Sequence, residues 1–123
     1  MKIRVYYEDT DAGGIVYHTN YIKFCERARS EVFFAQEMMP SEHTESGFVV
    51  RKINADFLAT SKLGDLLDVT SKILKLKSSS LVLLQEVWKN DIKVFSMEVL
   101  LVYIDSGKPR RIPEEFKKLF KSF

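Results

Sequence analysis

The 123-residue chain has a single cysteine, Cys25, and therefore no disulfide of its own. Cys25 falls on the apolar side of a helical pattern, where a buried thiol is the ordinary outcome. Two histidines, with no cysteine or acid cluster at ligand spacing, give no zinc set. No apolar run reaches the roughly eighteen residues that a membrane-crossing helix needs. The opening MKIRVYYED lacks the apolar core of a secretory leader, which gives a cytoplasmic expectation. Neither sign of charge dominates: 19 basic and 17 acidic residues leave +2. A nucleic-acid partner is not expected from such a balance. The length gives one domain over 1–123 with room for a core but not for a cleft between lobes. A ligand site then belongs in a loop region or between subunits.

Glycine is also scarce, and two of the five glycines are adjacent, in Tyr6-Tyr7-Glu8-Asp9-Thr10-Asp11-Ala12-Gly13-Gly14-Ile15-Val16-Tyr17-His18-Thr19-Asn20-Tyr21. Ile3, Val5 and Tyr7 alternate with polar or larger neighbours and read as a first strand with Tyr7 on its inward face. Asp9 to Gly14 is a polar turn. Tyr21, Cys25, Ala28, Val32, Ala35 and Met39 recur at four- and three-residue spacing and predict a helix from about Thr19 to Met39, stopped by Pro40. Thr19 or Asn20 is the expected cap. Arg27 with Glu31, and Glu26 with Arg29, are the expected local charge pairs. A strand, a polar turn and a helix entrance place carboxylates opposite free backbone N–H groups, a suitable setting for a carbonyl that gains negative charge.

After a polar connection with an exposed His43, strands are expected near 48–57, 66–77, 81–88 and 92–104. The turns between them are marked by Gly64-Asp65, Ser78 to Ser80 and Asn90-Asp91. Short connections favour antiparallel pairing. Pro113 opens a last helix with acids first and lysines later. Leu81, Leu83 and Val87 oppose Val82, Leu84 and Trp88, so both faces of that strand are apolar, which argues for an oligomer. The basic residues Lys108, Arg110, Arg111, Lys117, Lys118 and Lys121 suit an anionic ligand, a membrane surface or water.

The run DTDAGGIVYHTNY, from Asp9 to Tyr21, closely resembles the signature of the hotdog-fold acyl-CoA thioesterases of the 4-hydroxybenzoyl-CoA thioesterase superfamily. Within it, YIKFCERARSEVF and the ending Gly107 to Pro113 are similar to the YbgC branch associated with the Tol-Pal system. The resemblance implies an α+β hotdog fold: an antiparallel five-stranded sheet wrapped around one long helix, with a short C-terminal helix. It implies hydrolysis of an acyl-CoA to acid and coenzyme A, with no cofactor beyond the substrate's own coenzyme A. By the same resemblance Asp11 is the catalytic carboxylate, as general base or nucleophile. The backbone N–H of His18 is the oxyanion donor, and its side chain is a candidate for bonding the carbonyl, the water or Asp11. The implied partners are a second copy, as a dimer or dimer of dimers with the site between subunits, then acyl carrier protein or Tol-Pal and phospholipid-synthesis proteins. A peripheral place at the inner membrane is compatible with them.

Tyr7 is a candidate to line the acyl pocket or hold Asp11, and Gly13 and Gly14 to let the backbone approach the substrate. Val16 and Tyr17 complete that substrate-binding set. Lys75, Lys77, Lys108, Arg110 and Arg111, with Ser79 and Ser80 as donors, are candidates for coenzyme A. Asp9 reads as a loop organiser, and Glu26 as structural, although another hotdog branch uses a helix glutamate as its acid. The alternatives are an enoyl-thioester hydratase, which would free no thiol from a saturated acyl-CoA, and a non-catalytic acyl-thioester binder or cell-envelope scaffold. Asp11 inside a full motif favours catalysis.

Overall fold

The computed structural model describes residues 1–123. In order come β1 (Lys2–Arg4), a 3-10 turn (Tyr7–Asp9), α1 (His18–Phe34), β2 (Ser46–Phe57), β3 (Leu66–Leu76), β4 (Ser80–Lys89), β5 (Ile92–Asp105), β6 (Lys108–Pro109) and α2 (Glu114–Phe120). The strands form one antiparallel sheet ordered β1-β3-β4-β5-β2, with the two-residue β6 added beside the end of β5. α1 lies across β3 and β4. This is the hotdog arrangement expected from the motif, with β6 as a small addition.

Alternation explains which face the helix takes. Leu81, Leu83, Gln85 and Val87 of β4 are buried, while Val82, Leu84, Glu86 and Trp88 are half-buried on the reverse face. Met97, Val99, Leu101 and Tyr103 of β5 continue the buried layer. Tyr21, Phe24, Cys25, Ala28 and Phe33 of α1 fill it from above. Phe116 and Phe120 of α2 close one end against Phe33 and Phe48. Asn90, at φ +55°, makes the β4–β5 turn as its residue type suggests.

Several expectations are corrected. The first strand ends at Arg4, because the chain turns at Tyr7–Asp9; Tyr7 therefore points out and is 82% exposed. The helix ends at Phe34, short of Pro40. Its final turn closes on Glu37 at φ +56°, and Ala35 and Met39 are exposed rather than part of the stripe. Neither Thr19 nor Asn20 caps α1: the capping position is Tyr17, which offers no side-chain bond. Arg27 and Glu31 do not close an ion pair, nor do Glu26 and Arg29. Glu26 instead accepts from the Ser30 hydroxyl at 3.0 Å. His43 is half-exposed as expected but is tied to Asp105 at 2.9 Å.

Candidate active site

The site grows from the segment between β1 and α1. After Tyr6 the chain makes its 3-10 turn, and Asp9 is drawn inside, 4% exposed. Its carboxylate accepts the Tyr6 N–H at 2.9 Å and the Asn20 side-chain amide at 3.0 Å, and its carbonyl accepts the Tyr17 N–H at 2.9 Å. Asp9 is thus the loop organiser its position suggested. Asn20, expected as a cap, serves as its partner.

Beyond Asp9 the chain makes a narrow loop. Asp11 N–H donates to the Ile15 carbonyl, and Gly14, at φ +81°, returns its N–H to the Asp11 carbonyl. That φ suits glycine alone among ordinary residues. The exposed Asp11 carboxylate uses one oxygen, Oδ1, to accept Gly13 N–H at 2.8 Å and Ile15 N–H at 3.4 Å. Its Oδ2 has no partner in the chain. Val16 N–H then bonds the Ser61 carbonyl at 2.8 Å, and the Ser61 hydroxyl accepts from Tyr21 at 3.0 Å. Ser61, 2% exposed, fastens the loop and helix to the body, and no local sequence signal marks it. Burial raises the Tyr21 phenol above its ordinary pKa, with the Ser61 bond opposing that rise in part.

His18 begins α1. Because Tyr17 supplies no cap and the first turn contains no acid, the N–H groups of His18 and Thr19 have no acceptor in the chain. An uncapped helix start is a ready site for developing negative charge. The His18 ring packs on Tyr17, with centroids 4.5 Å apart, and edge-on to Phe57 at 5.9 Å. Its imidazole makes no hydrogen bond to Asp11. Asp11, Gly14, Tyr17 and His18 thus share one loop and helix start. Val16 instead puts its side chain in the core, and Tyr7 stands out into solvent.

The coenzyme A candidates form a second group. Lys77 N–H bonds Ser80 O, Ser79 O accepts Tyr103 N–H, and Arg110 N–H bonds Tyr103 O. Lys77, Ser79, Ser80 and Arg110 therefore meet near Tyr103, with Lys75 close by on β3. His18 stands at the other end of the sheet, beside Phe57, which pairs with Phe95. Phe95 to Tyr103 is about 26 Å of strand. One protomer does not bring the two groups together.

A cavity of about 440 Å³ lies under the second half of α1, between Phe33, Phe48, Leu83 and Phe120. It includes neither Asp11 nor His18. Its lining residue nearest the start of α1, Glu26, is about 12 Å along the helix from His18. The free N–H groups at the helix start and the unpartnered Asp11 oxygen lie outside this volume.

The profile of the thioesterase superfamily matches residues 13–96. The chain belongs to that superfamily. Asp9 and Asp11 stand just ahead of the matched segment. The chain is 41% identical to the acyl-CoA thioesterase YbgC of Helicobacter pylori across 99% of both chains. It is 39% identical to the acyl-CoA thioester hydrolase YbgC of Escherichia coli, across 97% of this chain and 92% of that one. These relatives place it in the YbgC-like branch of the superfamily. A crystal structure of a probable thioesterase from Bartonella henselae superposes with a TM-score of 0.85 at 30% identity, covering 92% of this chain and 97% of that one.

Proposed function

We propose that this protein hydrolyses acyl-CoA thioesters to the free carboxylic acid and coenzyme A, with Asp11 and the His18 backbone N–H as the reacting groups. The observation that carries this assignment is their pairing: a carboxylate with one unused oxygen and an uncapped helix start, joined by a single short loop. The thioester carbonyl sits against the His18 N–H, which stabilises the oxyanion as it forms. Asp11 either takes a proton from an attacking water or adds to the carbonyl carbon itself. In the first route hydroxide oxygen joins the carbon, the C–S bond breaks, and the thiolate leaves and is protonated. In the second, the acyl-aspartate formed with loss of thiolate is opened by water.

The working unit is a homo-oligomer. β2 presents an unpaired edge, with Val49 and Val50 exposed, and Tyr7, Tyr17, Phe57 and Leu58 expose apolar surface around the site. A second copy that brings its Lys77–Arg110 end to this site would supply cations for the coenzyme A phosphates, across the gap that one protomer leaves.

The test is thiol release across a panel of acyl-CoA chain lengths, for the wild type and Asp11→Asn. Thiol release from saturated acyl-CoA that disappears in the variant is the expected result. No release from any member of the panel would overturn the assignment, and it would do so without reference to any hydratase activity.

A further inference from the structure

Asp9 is a carboxylate almost wholly withdrawn from water, and no cation lies within ion-pair reach of it. Burying such a group is expensive unless its oxygens are hydrogen-bonded. Here both are used, one by the Tyr6 N–H just past the first strand and one by the third residue of α1. Asp11 follows Asp9 by two positions, and His18 precedes Asn20 by two. The reacting groups therefore flank a buried hydrogen bond, Asn20 Nδ2–H to Asp9 Oδ1, at 3.0 Å, which lies beside the bond from Tyr17 N–H to the Asp9 carbonyl and is the one that reaches into α1. The loop between them has bonds of its own, through Ile15, Gly14 and Ser61. It closes without Asn20, and the Tyr21 hydroxyl on Ser61 holds α1 to the body one turn further on, but none of those bonds joins the helix to Asp9.

We propose that Asp9 and Asn20 are positioning residues for the reaction: their hydrogen bond sets the alignment of Asp11 against the His18 N–H. The proposal rests on the thioester hydrolysis assigned above. Oxyanion stabilisation and proton transfer depend steeply on alignment, so a shift of the helix start costs turnover more than substrate binding.

A charge-swapped pair tests it. Asn20→Asp sets a second carboxylate against Asp9 and forces the two ends apart. Adding Asp9→Asn restores a donor and an acceptor: the new amide gives its N–H to the new carboxylate and still accepts Tyr6 N–H. The expected result is a kcat about 30-fold lower in Asn20→Asp with KM changed by less than about threefold, both measured well below its melting temperature. The double variant then recovers to within about fivefold of wild type. Hydrogen exchange of the Tyr17 amide, which donates to Asp9, becomes about tenfold faster in Asn20→Asp and slows again in the double variant. Unchanged kcat in Asn20→Asp, no recovery in the double variant, or a kcat loss equal to the unfolded fraction would overturn the proposal. If the wild type released no thiol, hydrolysis would fall, and the exchange measurement would still decide the clamp: unchanged Tyr17 exchange overturns it.

Discussion

The Gln85 side chain donates to the Cys25 carbonyl oxygen at 2.8 Å and so fastens the middle of β4 to the middle of α1. Gln85 is fully buried. It also donates to the Ser71 hydroxyl at 3.0 Å and accepts from Arg29 at 3.3 Å. A leucine here fits the apolar layer but leaves Arg29, whose guanidinium pKa is already lowered by burial, without its acceptor. Gln85→Leu should lose about 1–3 kcal/mol, read as a lower urea midpoint with an unchanged slope.

Asp11→Asn should abolish most turnover while leaving the fold alone. An asparagine oxygen accepts Gly13 N–H as the carboxylate does, so the loop stays closed. Loss of a base or nucleophile is worth at least about 100-fold in kcat. The thermal midpoint should stay within about 2 °C of wild type. For wild type, a single turnover in heavy-oxygen water that leaves label in Asp11 marks the nucleophilic route, with water opening the acyl-aspartate at the aspartyl carbon.

The two adjacent glycines should fail differently. A methyl group on Gly13 would lie 3.2 Å from Asp11 Oδ1, so Gly13→Ala displaces the carboxylate and lowers kcat with little change in stability. Around Gly14 there is open space, but its φ is +81°. Gly14→Ala should cost about 1–2 kcal/mol in melting experiments, with a smaller effect on kcat per folded molecule.

Acid should weaken the fold through two aspartates whose pKa values lie below the ordinary carboxylate range. Burial raises that of Asp65, but the Lys62 N–H and the Lys89 ammonium, 2.9 and 3.0 Å away, more than reverse it. For Asp105 the leading cause is the His43 hydrogen bond. A depressed folded pKa gives stabilisation that is present above the unfolded value, near 3.9, and is lost as pH falls through the folded one. Urea midpoints of wild type should exceed those of His43→Ala and Lys89→Gln at about pH 6, and the differences should close below about pH 3.

Cys25 should be inert in the native state. Burial pushes its thiol pKa up to about 12, with Arg29 pulling weakly the other way. A thiol reagent should leave it unmodified until denaturant is added, when one equivalent reacts. Thiol-release assays on the folded protein then start from a low background.

Much of this architecture was legible in the residues. Apolar content marked the strands near 81–88 and 92–104, though not which face of 81–88 is buried, and turn chemistry at Gly64-Asp65 and Asn90-Asp91 separated the strands. The candidate site was legible as a motif but not as an arrangement. Tyr7 continued a period-two pattern, yet the Asp9 carboxylate bends the chain into a 3-10 turn before Tyr7 can join the sheet. Asn20 looked like a cap, because its bond to Asp9 is tertiary and leaves no spacing signal. The stripe ran on to Met39, but the helix stops where Glu37 takes a left-handed φ. Ser61 had no local mark, and Gln85 stood out only as a polar exception in an apolar strand, since what makes them matter is a partner about 40 or 60 positions away.

Asp11 and His18 stand seven positions apart, and the loop between them is closed mainly by its own backbone. A segment that closes on itself in this way owes little of its shape to distant parts of the chain, so changes near Phe33 and Phe120 can leave its geometry intact.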